Sequence, residues 1–265
     1  MIGLNYLGKL GQLGNQMFQY ATAMGVANKL NTEVSIPNHR DAVVDHLGNT
    51  LRIELFDAFK INPNIGFVHG TDFQEAYFHY SSKLFELDRE RQYCLIGFFQ
   101  SEKYFKHIGD EVRKEFTFLD DIVKDCQGAL EIFDNPVALH IRRGDFLINS
   151  GNHHNVSMEY YQEALKEFPD RQVVIFSDDP LWCHDEPTFA DDRFLVSDAD
   201  SPYHDLYLMS QCSDFIIACS TFSWWGAWLA NKGTVIAPNK WFGPNNADKD
   251  IKDLYPEHWK VIPFS

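Results

Sequence analysis

The chain has 265 residues, of which 45% are hydrophobic and 23% charged, the composition of a globular protein with room for one large domain or two small ones. Lys and Arg number 23 against 38 Asp and Glu, a formal net charge of -15. That balance excludes the basic footprint of a non-specific nucleic-acid binder and of a partner for anionic membranes.

In chain order, Ile2–Leu7 is a short apolar run predicted as a strand, and Gly8, Gly11 and Gly14 punctuate the loop behind it. Asn15 is predicted to cap a helix reaching about Leu30, with Phe18, Ala21, Gly25 and Leu30 near one face. Glu33–Ile36 reads as a second strand closed by Pro37. From Pro37 to about Phe85 the pattern is irregular, and Cys94–Phe99 then reads as a buried strand. Helical patterns cover Lys103–Phe116 and Ile122–Phe133, and Asn135-Pro136 breaks the chain. Beyond that break the alternation is regular. Strands are predicted at Val137–Ile141, Val173–Phe176, Phe215–Ala218 and Thr234–Ala237, with a further one at Arg193–Val196. Helices are predicted between them at Met158–Phe168, about Asp205–Gln211 and Ser223–Asn231. Such βα alternation implies a parallel, doubly wound sheet, and the opening β-loop-α-β suggests a second. The expected architecture is two α/β lobes, 1–134 and 135–265, flanking a cleft.

Ligands of open parallel sheets bind outside the carboxyl ends of the strands, so those ends are where chemistry is sought. Val137–Ile141 runs into Arg142-Arg143-Gly144-Asp145, Val173–Phe176 into Ser177-Asp178-Asp179-Pro180, and Phe215–Ala218 into Cys219-Ser220-Thr221-Phe222-Ser223 ahead of a helix. Paired arginines are permanently charged bidentate donors suited to phosphate. Ser220, Thr221 and Ser223 place hydroxyls and backbone N–H groups at a helix start, where the dipole favours an anion. Asp178 can accept from the N–H edge of a guanine or from a ribose hydroxyl, and His140 can meet a base edge. Each feature alone has a plain structural reading: surface ion pairs, an N-cap, a turn, a core histidine. Their conjunction on successive strand ends points to a nucleoside diphosphate. Gly8-x-x-Gly11-x-x-Gly14 is neither the dinucleotide fingerprint nor a P-loop, because it lacks the GxGxxG spacing and the Lys-Ser/Thr.

Five cysteines (Cys94, Cys126, Cys183, Cys212, Cys219) form no CxxC pair and no zinc spacing, which suggests free thiols in a reducing compartment. No basic region followed by an apolar stretch opens the chain, and no window of 18 apolar residues occurs. The expected setting is cytoplasmic, without a transmembrane segment.

Gly11-Gln12-Leu13-Gly14-Asn15-Gln16-Met17-Phe18-Gln19-Tyr20-Ala21 resembles the opening motif of the α-1,2-fucosyltransferases, glycosyltransferase family 11. His140-Ile141-Arg142-Arg143-Gly144-Asp145 looks like the HxRRxD motif shared by α-1,2-, α-1,6- and protein O-fucosyltransferases. Phe176-Ser177-Asp178-Asp179 and Ser220-Thr221-Phe222-Ser223-Trp224-Trp225-Gly226 are similar to later motifs of the same family, and Gly97–Phe105 is family-like as well. The resemblance implies a GT-B-like fold of two Rossmann-like lobes, with the acceptor on the N-terminal lobe and GDP-fucose on the C-terminal one. It implies inverting transfer to the 2-hydroxyl of a terminal galactose on a glycan, with no cofactor and no required metal. By position, Arg142 would bind the β-phosphate, Arg143 would support the motif or the phosphates, and His140 and Asp178 would hold the guanine. Ser220, Thr221, Phe222 and Ser223 would wrap the diphosphate; Asn15 would sit in the cleft near the fucose and acceptor as a catalytic residue beside Arg142 and Asp145, and Gly14 would be among the substrate-binding residues. Animal members carry a membrane anchor and stem; this chain starts almost at its first strand and resembles the bacterial or viral forms.

Inverting transfer needs stabilisation of the departing diphosphate, which Arg142 and the Ser220–Ser223 helix start can supply, and calls for a general base. Asp145 is the first candidate for that base, although it can equally orient the arginines; Glu102, His153 and His154 follow. Two alternatives are carried. Asp198-Ala199-Asp200 spells DxD, the mark of a metal-dependent glycosyltransferase of the other common fold. Trp224, Trp225, Trp228, Trp241 and Trp259 could instead stack on sugars in a non-catalytic carbohydrate-binding protein, although Trp225 and Trp228 fall at a helical, core-facing spacing.

Overall fold

In the computed structural model, residues 1–38, 42–44, 48, 50–131 and 133–263 are described. The chain forms two units, Met1–Leu119 with Lys249–Pro256, and Asp120–Asp248 with Glu257–Ser265. Both limits differ from a single cut after residue 134. The helix Asp120–Asp125 packs within the second unit. Asp253 joins the first, through Lys103 Nζ at 2.6 Å and the Tyr80 N–H at 3.1 Å.

The first unit contains β1 (Ile2–Gly3), α1 (Leu13–Leu30), β2 (Val34–Ile36), β3 (Val43–Val44), β4 (Thr50–Leu51), α2 (Leu55–Ala58), β5 (Asn64–Ile65), β6 (Thr71–Gln74), β7 (Tyr93–Ile96) and α3 (Gly109–Glu115). Its main sheet is ordered β5-β2-β1-β7-β6, with every pairing parallel; β3 and β4 form a separate antiparallel pair. Strand β1 is shorter than the apolar run Ile2–Leu7, because the Leu7 N–H closes a turn onto the Leu4 carbonyl at 2.8 Å. Leu4 and Leu7 are core residues all the same, at 2% and 3% exposure.

Asn15 does not cap α1. The helix starts at Leu13 behind Gln12, which makes no side-chain cap bond, and Asn15 lies inside the first turn. Gly11, at φ +88°, turns the chain earlier than the sequence suggests, in a region that side chains avoid. The Asn15 amide is engaged elsewhere, accepting from Gln100. The helix ends at Asn31 in the left-handed conformation, with Lys29 in the last turn. Phe18, Ala21, Gly25 and Leu30 are all buried, as the spacing predicted. Phe59 packs on Phe116 and Phe118 at centroid distances of 4.9 and 4.8 Å.

The second unit contains α4 (Asp120–Asp125), β8 (Val137–Ile141), α5 (Gly144–Ile148), α6 (Met158–Leu165), β9 (Val173–Ser177), α7 (Pro180–Asp185), β10 (Phe194–Val196), α8 (Pro202–Gln211), β11 (Asp214–Ile216), α9 (Thr221–Ala230), β12 (Val235–Pro238) and β13 (Lys260–Ile262). Helix α4 is shorter than the pattern over 122–133, of which residue 132 lies outside the described residues. The six strands are all parallel, in the order β10-β9-β8-β11-β12-β13. Numbered within the unit this is 3-2-1-4-5-6, a doubly wound sheet whose order reverses between β8 and β11. Strand β8 is buried at every position, as parallel strands covered on both faces are. Its Val137, Leu139 and Ile141 pack with Val173, Ile175, Ile216 and Ile236 beneath Tyr160, Tyr161 and Leu165 of α6.

The tryptophans that were candidate sugar platforms are interior. Trp224 and Trp225 are fully buried, and Trp228, Trp241 and Trp259 are 4–7% exposed. Trp224 lies 5.0 Å from Trp225, 6.2 Å from Trp228 and 5.3 Å from Trp259. Rings packed on one another have no free face for a sugar, which removes the ground for a tryptophan-lined carbohydrate-binding module. Among the described residues no helix is long and apolar enough to cross a membrane.

Candidate functional site

Strand register decides which residues meet. Ile141 of β8 pairs with Ser177 of β9, so Arg142 and Asp178 leave the sheet side by side. Leu139 pairs with Ile216 of β11, so Arg142 and Cys219, three residues further along each chain, emerge at the same edge. Strand order reverses between β8 and β11, the place where doubly wound sheets bind ligands, and the chain leaves β8 there into Arg142 and leaves β11 toward Ser220 and the start of α9.

Arg142 is held by two carboxylates. Its Nη2 lies 2.6 Å from Asp145 Oδ1 and its Nη1 lies 3.2 Å from Asp178 Oδ2. Its Nε is buried and has no hydrogen-bond partner among the described residues. The guanidinium also sits 5.2 Å over the Phe146 ring. Arg143 turns aside, donating from Nε to Asp179 Oδ2 at 2.9 Å with its guanidinium 4.0 Å over Trp182. Its backbone N–H donates to Asp178 Oδ1 at 2.8 Å. Asp178 therefore serves both arginines in this structure. Gly144 makes room for that arrangement, because a methyl group there would overlap Asp178 Oδ2.

His140 is only 4% exposed. Burial, and then the Arg142 charge, push its imidazole down to about 3, so the ring is neutral at ordinary pH. Its Nδ1 is buried and likewise lacks a partner among the described residues, and its ring lies 5.5 Å from that of Phe222. Tyr161 Oη donates to the His140 carbonyl at 3.1 Å, and Tyr160 Oη to the carbonyls of Ile217 and Ile236 at 2.8 and 3.0 Å. These buried phenols tie α6 to the backbone of β8, of β12 and of the residue that follows β11. Ser220 caps α9, its Oγ accepting from the Phe222 N–H at 3.3 Å. Thr221 and Phe222 are half-buried. Ser223 is fully buried, and its hydroxyl donates to the Ser220 carbonyl.

Sequence reasoning named Asp179 only as part of a turn and a motif, with no role of its own, and missed Trp182. Asp179 caps α7, its Oδ1 accepting from the Trp182 N–H at 3.3 Å, with Pro180 at the first helical position. An Asp-Pro pair is a helix start as well as a turn, and that signal was there to be used. Of the other base candidates, Glu102 pairs with Lys106 at 3.2 Å and His153 stacks on Phe146 at 4.0 Å. His154 is half-buried, its proton affinity lowered by burial and by Lys240. Asp198 and Asp200 are exposed in the loop after β10, two strands from β8. At the opposite edge of the sheet, where its strands begin, a shallow cavity is lined by Asp134, Asn135, Arg171, Ser213 and Asp214. There Arg171 and Asp214 neutralise each other at 3.0 Å.

In the first unit, Asn15 Oδ1 accepts from Gln100 Nε2 at 2.8 Å. Gly14 is buried one residue before it in α1.

A family model described as glycosyl transferase family 11 matches residues 2–263. The chain is 31% identical to the O-antigen biosynthesis glycosyltransferase WbnK of Escherichia coli, over 92% of this chain and 97% of the relative. It is 30% identical to an alpha-1,2-colitosyltransferase of Escherichia coli, over 95% and 96%. It is 28% identical to galactoside alpha-(1,2)-fucosyltransferase 1 of Bos taurus, over 86% and 67%. Among solved structures, POFUT1 in complex with GDP-fucose aligns with a TM-score of 0.51 at 12% identity, over 87% of this chain and 94% of that one. NodZ alpha-1,6-fucosyltransferase co-crystallized with GDP aligns with a TM-score of 0.53 at 12% identity, over 81% and 88%. At such identity the likeness is one of fold, and it agrees with the GT-B-like α/β architecture expected from the motifs.

Proposed function

The chain belongs to glycosyl transferase family 11 and is a glycosyltransferase, and from that premise we propose that it moves L-fucose from GDP-fucose, with inversion, to the 2-hydroxyl of a terminal galactose on a glycan. One observation carries the reading. At the point where the second sheet reverses its strand order, Arg142 is clamped between Asp145 and Asp178 while its Nε stays buried and unpaired among the described residues. A buried donor left unsatisfied is costly, and a phosphate oxygen is the acceptor it suits.

Arg142 then binds the β-phosphate and stabilises the charge that develops on it as the glycosidic bond breaks. The capped start of α9, with Ser220, Thr221 and Phe222, offers N–H groups and hydroxyls to the same diphosphate. Ser223 keeps that turn in shape. His140 and Asp178 lie close to the guanine, Asp178 also aligning Arg142. Arg143 anchors the loop through Asp179 and Trp182. Asp145, engaged with Arg142 at 2.6 Å, acts as its orienting carboxylate. The second unit holds the donor; the first, with Asn15, receives the acceptor. The five buried thiols support a cytoplasmic setting.

The alpha-1,2 linkage is supported by the names of the bovine and colitosyl relatives, and the latter makes the donor sugar the point to test. Incubation with GDP-fucose or a colitosyl nucleotide and a panel of galactosides, followed by linkage analysis, is expected to give an α-1,2-fucosylated galactose, in excess EDTA as well. A product carrying colitose alone, or a linkage other than 1,2, refutes the proposal.

A further inference from the structure

The first unit has a crossover of its own. Its order β5-β2-β1-β7-β6 reverses between β1 and β7, so the crevice of that sheet lies outside the carboxyl ends of those two strands. The loop after β1 leads to Asn15 in the first turn of α1, and the loop after β7 carries Gly97–Ser101. Asn15 Oδ1 accepts from Gln100 Nε2, which fixes the orientation of the Gln100 amide. Gln100 is 7% exposed, and its Oε1 is buried without a hydrogen-bond partner among the described residues. A carbonyl oxygen oriented by one bond and left without another is an acceptor that lacks its donor.

The segment that presents it is held against its preference. Phe99, the residue before Gln100, has φ +51° and is 1% exposed. A bulky side chain in the left-handed region is a strained conformation that persists only when its surroundings enforce it. Glu75, directly after β6, supplies the enforcement. Its Oε2 accepts from the Phe98 N–H at 2.9 Å and its Oε1 from the Phe99 N–H at 2.8 Å. The Phe99 ring meets Tyr104 edge-on at 5.9 Å. Around these strand ends Tyr6, Phe67, Tyr77 and Phe98 are between 36% and 62% exposed. Asn5 ties the segments bearing Tyr6 and Phe67 together through two bonds to the Val68 backbone, each 3.0 Å. Amides for hydroxyls and rings for C–H faces are the chemistry of a neutral sugar, and not that of a phosphate.

We propose that Gln100 binds a hydroxyl of the acceptor sugar through Oε1, and that Glu75 is the positioning residue that holds Gln100 for it. This rests on the transferase reading above and assigns part of its acceptor recognition.

Whole-chain kinetics with varied galactoside test it. Gln100→Leu is expected to lower kcat/KM for the acceptor about tenfold or more, while GDP affinity by calorimetry stays within about twofold. Gln100→Asn, which keeps the amide and shortens its reach, is the companion if the leucine variant fails to fold, with the same split expected. Glu75→Gln should lower acceptor kcat/KM by less, and the Gln100→Leu/Glu75→Gln double variant should be no worse than Gln100→Leu, because Glu75 acts through the residue already removed. Unchanged acceptor kinetics at position 100, multiplied losses in the double variant, or a parallel fall in GDP affinity each overturn the proposal. Saturation-transfer NMR with a methyl galactoside reads the contact without turnover. A wild-type signal that Gln100→Leu loses supports the proposal; an equal signal, or none from the wild type, overturns it. A wild-type chain that gives the signal yet transfers nothing refutes the transferase reading alone.

Discussion

The crossover of the second sheet and the crossover of the first obey one winding rule and carry opposite chemistry. At β8/β11 the strand ends bear Arg142, Arg143, Asp145, Asp178 and Asp179, a lattice of ion pairs from 2.6 to 3.2 Å. At β1/β7 they bear Asn5, Asn15 and Gln100, with the Glu75 carboxylate committed to two backbone N–H groups. Topology says where a parallel sheet binds, and the side chains at that place say what. Fixed charge suits a diphosphate that gains charge as it leaves, whereas oriented amides suit hydroxyls that do not.

The comparison can be broken first at Arg142. Arg142→Ala removes a preorganised donor and is expected to lower kcat by about 10²–10³. A folded variant that keeps more than about a third of wild-type turnover would show that the charged crossover is not where the leaving group is met. Next in size is Gly144→Ala, whose methyl group displaces Asp178 from both arginines. Urea denaturation should register a loss of about 1–3 kcal/mol, with weakened GDP binding by calorimetry. A change at Glu75 in the other unit should leave that binding alone. Smaller again is Ser220→Ala, which forfeits the α9 cap: about 1 kcal/mol of stability, with a modest drop in GDP affinity.

The subtlest contrast is in pH. His140 is held at about 3, below its ordinary 6.5, so the unfolded chain binds the extra proton between those values and His140 makes stability rise with pH across that window. Glu75 is raised from 4.5 to about 7, mainly by burial, against the pull of the Phe98 and Phe99 N–H groups and of Lys249. There the folded chain keeps the proton longer, so Glu75 makes stability fall as pH climbs from 4.5 to 7. Denaturation at pH 5, 6 and 7 is expected to show a flatter rise in His140→Phe and a steeper one in Glu75→Gln, each relative to wild type. Identical slopes in all three proteins would remove the electrostatic difference between the regions.

How far the sequence could be read follows the same divide. The second sheet was legible because its strands are apolar runs buried on both faces, each ending abruptly in charge or hydroxyls. Arg142, Asp178 and Ser220 could be placed at one sheet edge from that alternation. Their bonds could not: the pairing of Asp178 with the Arg143 N–H depends on register between strands 35 residues apart. The first sheet was far less legible. Strands β5 and β6 lie at its edges, with both residues of β5 and most of β6 exposed, so neither shows the alternation that marks a half-buried strand. Glu75 was therefore lost in a stretch read as irregular. Asn15 was assigned to a cap because its residue type favours one, while a long-range partner, Gln100, had claimed its side chain. The tryptophans show the reverse lesson, since their helical spacing was a truer guide than their apparent availability.

Residues 249–256 have a practical consequence. They belong to the first unit, yet both their flanks belong to the second, and Asp253 within them grips Lys103 and the Tyr80 backbone. No one scission divides this polypeptide into its two halves. Anyone grafting a foreign first unit onto this second unit, or trimming one away for crystallisation, must splice at three junctions and carry that eight-residue clasp across with its owner.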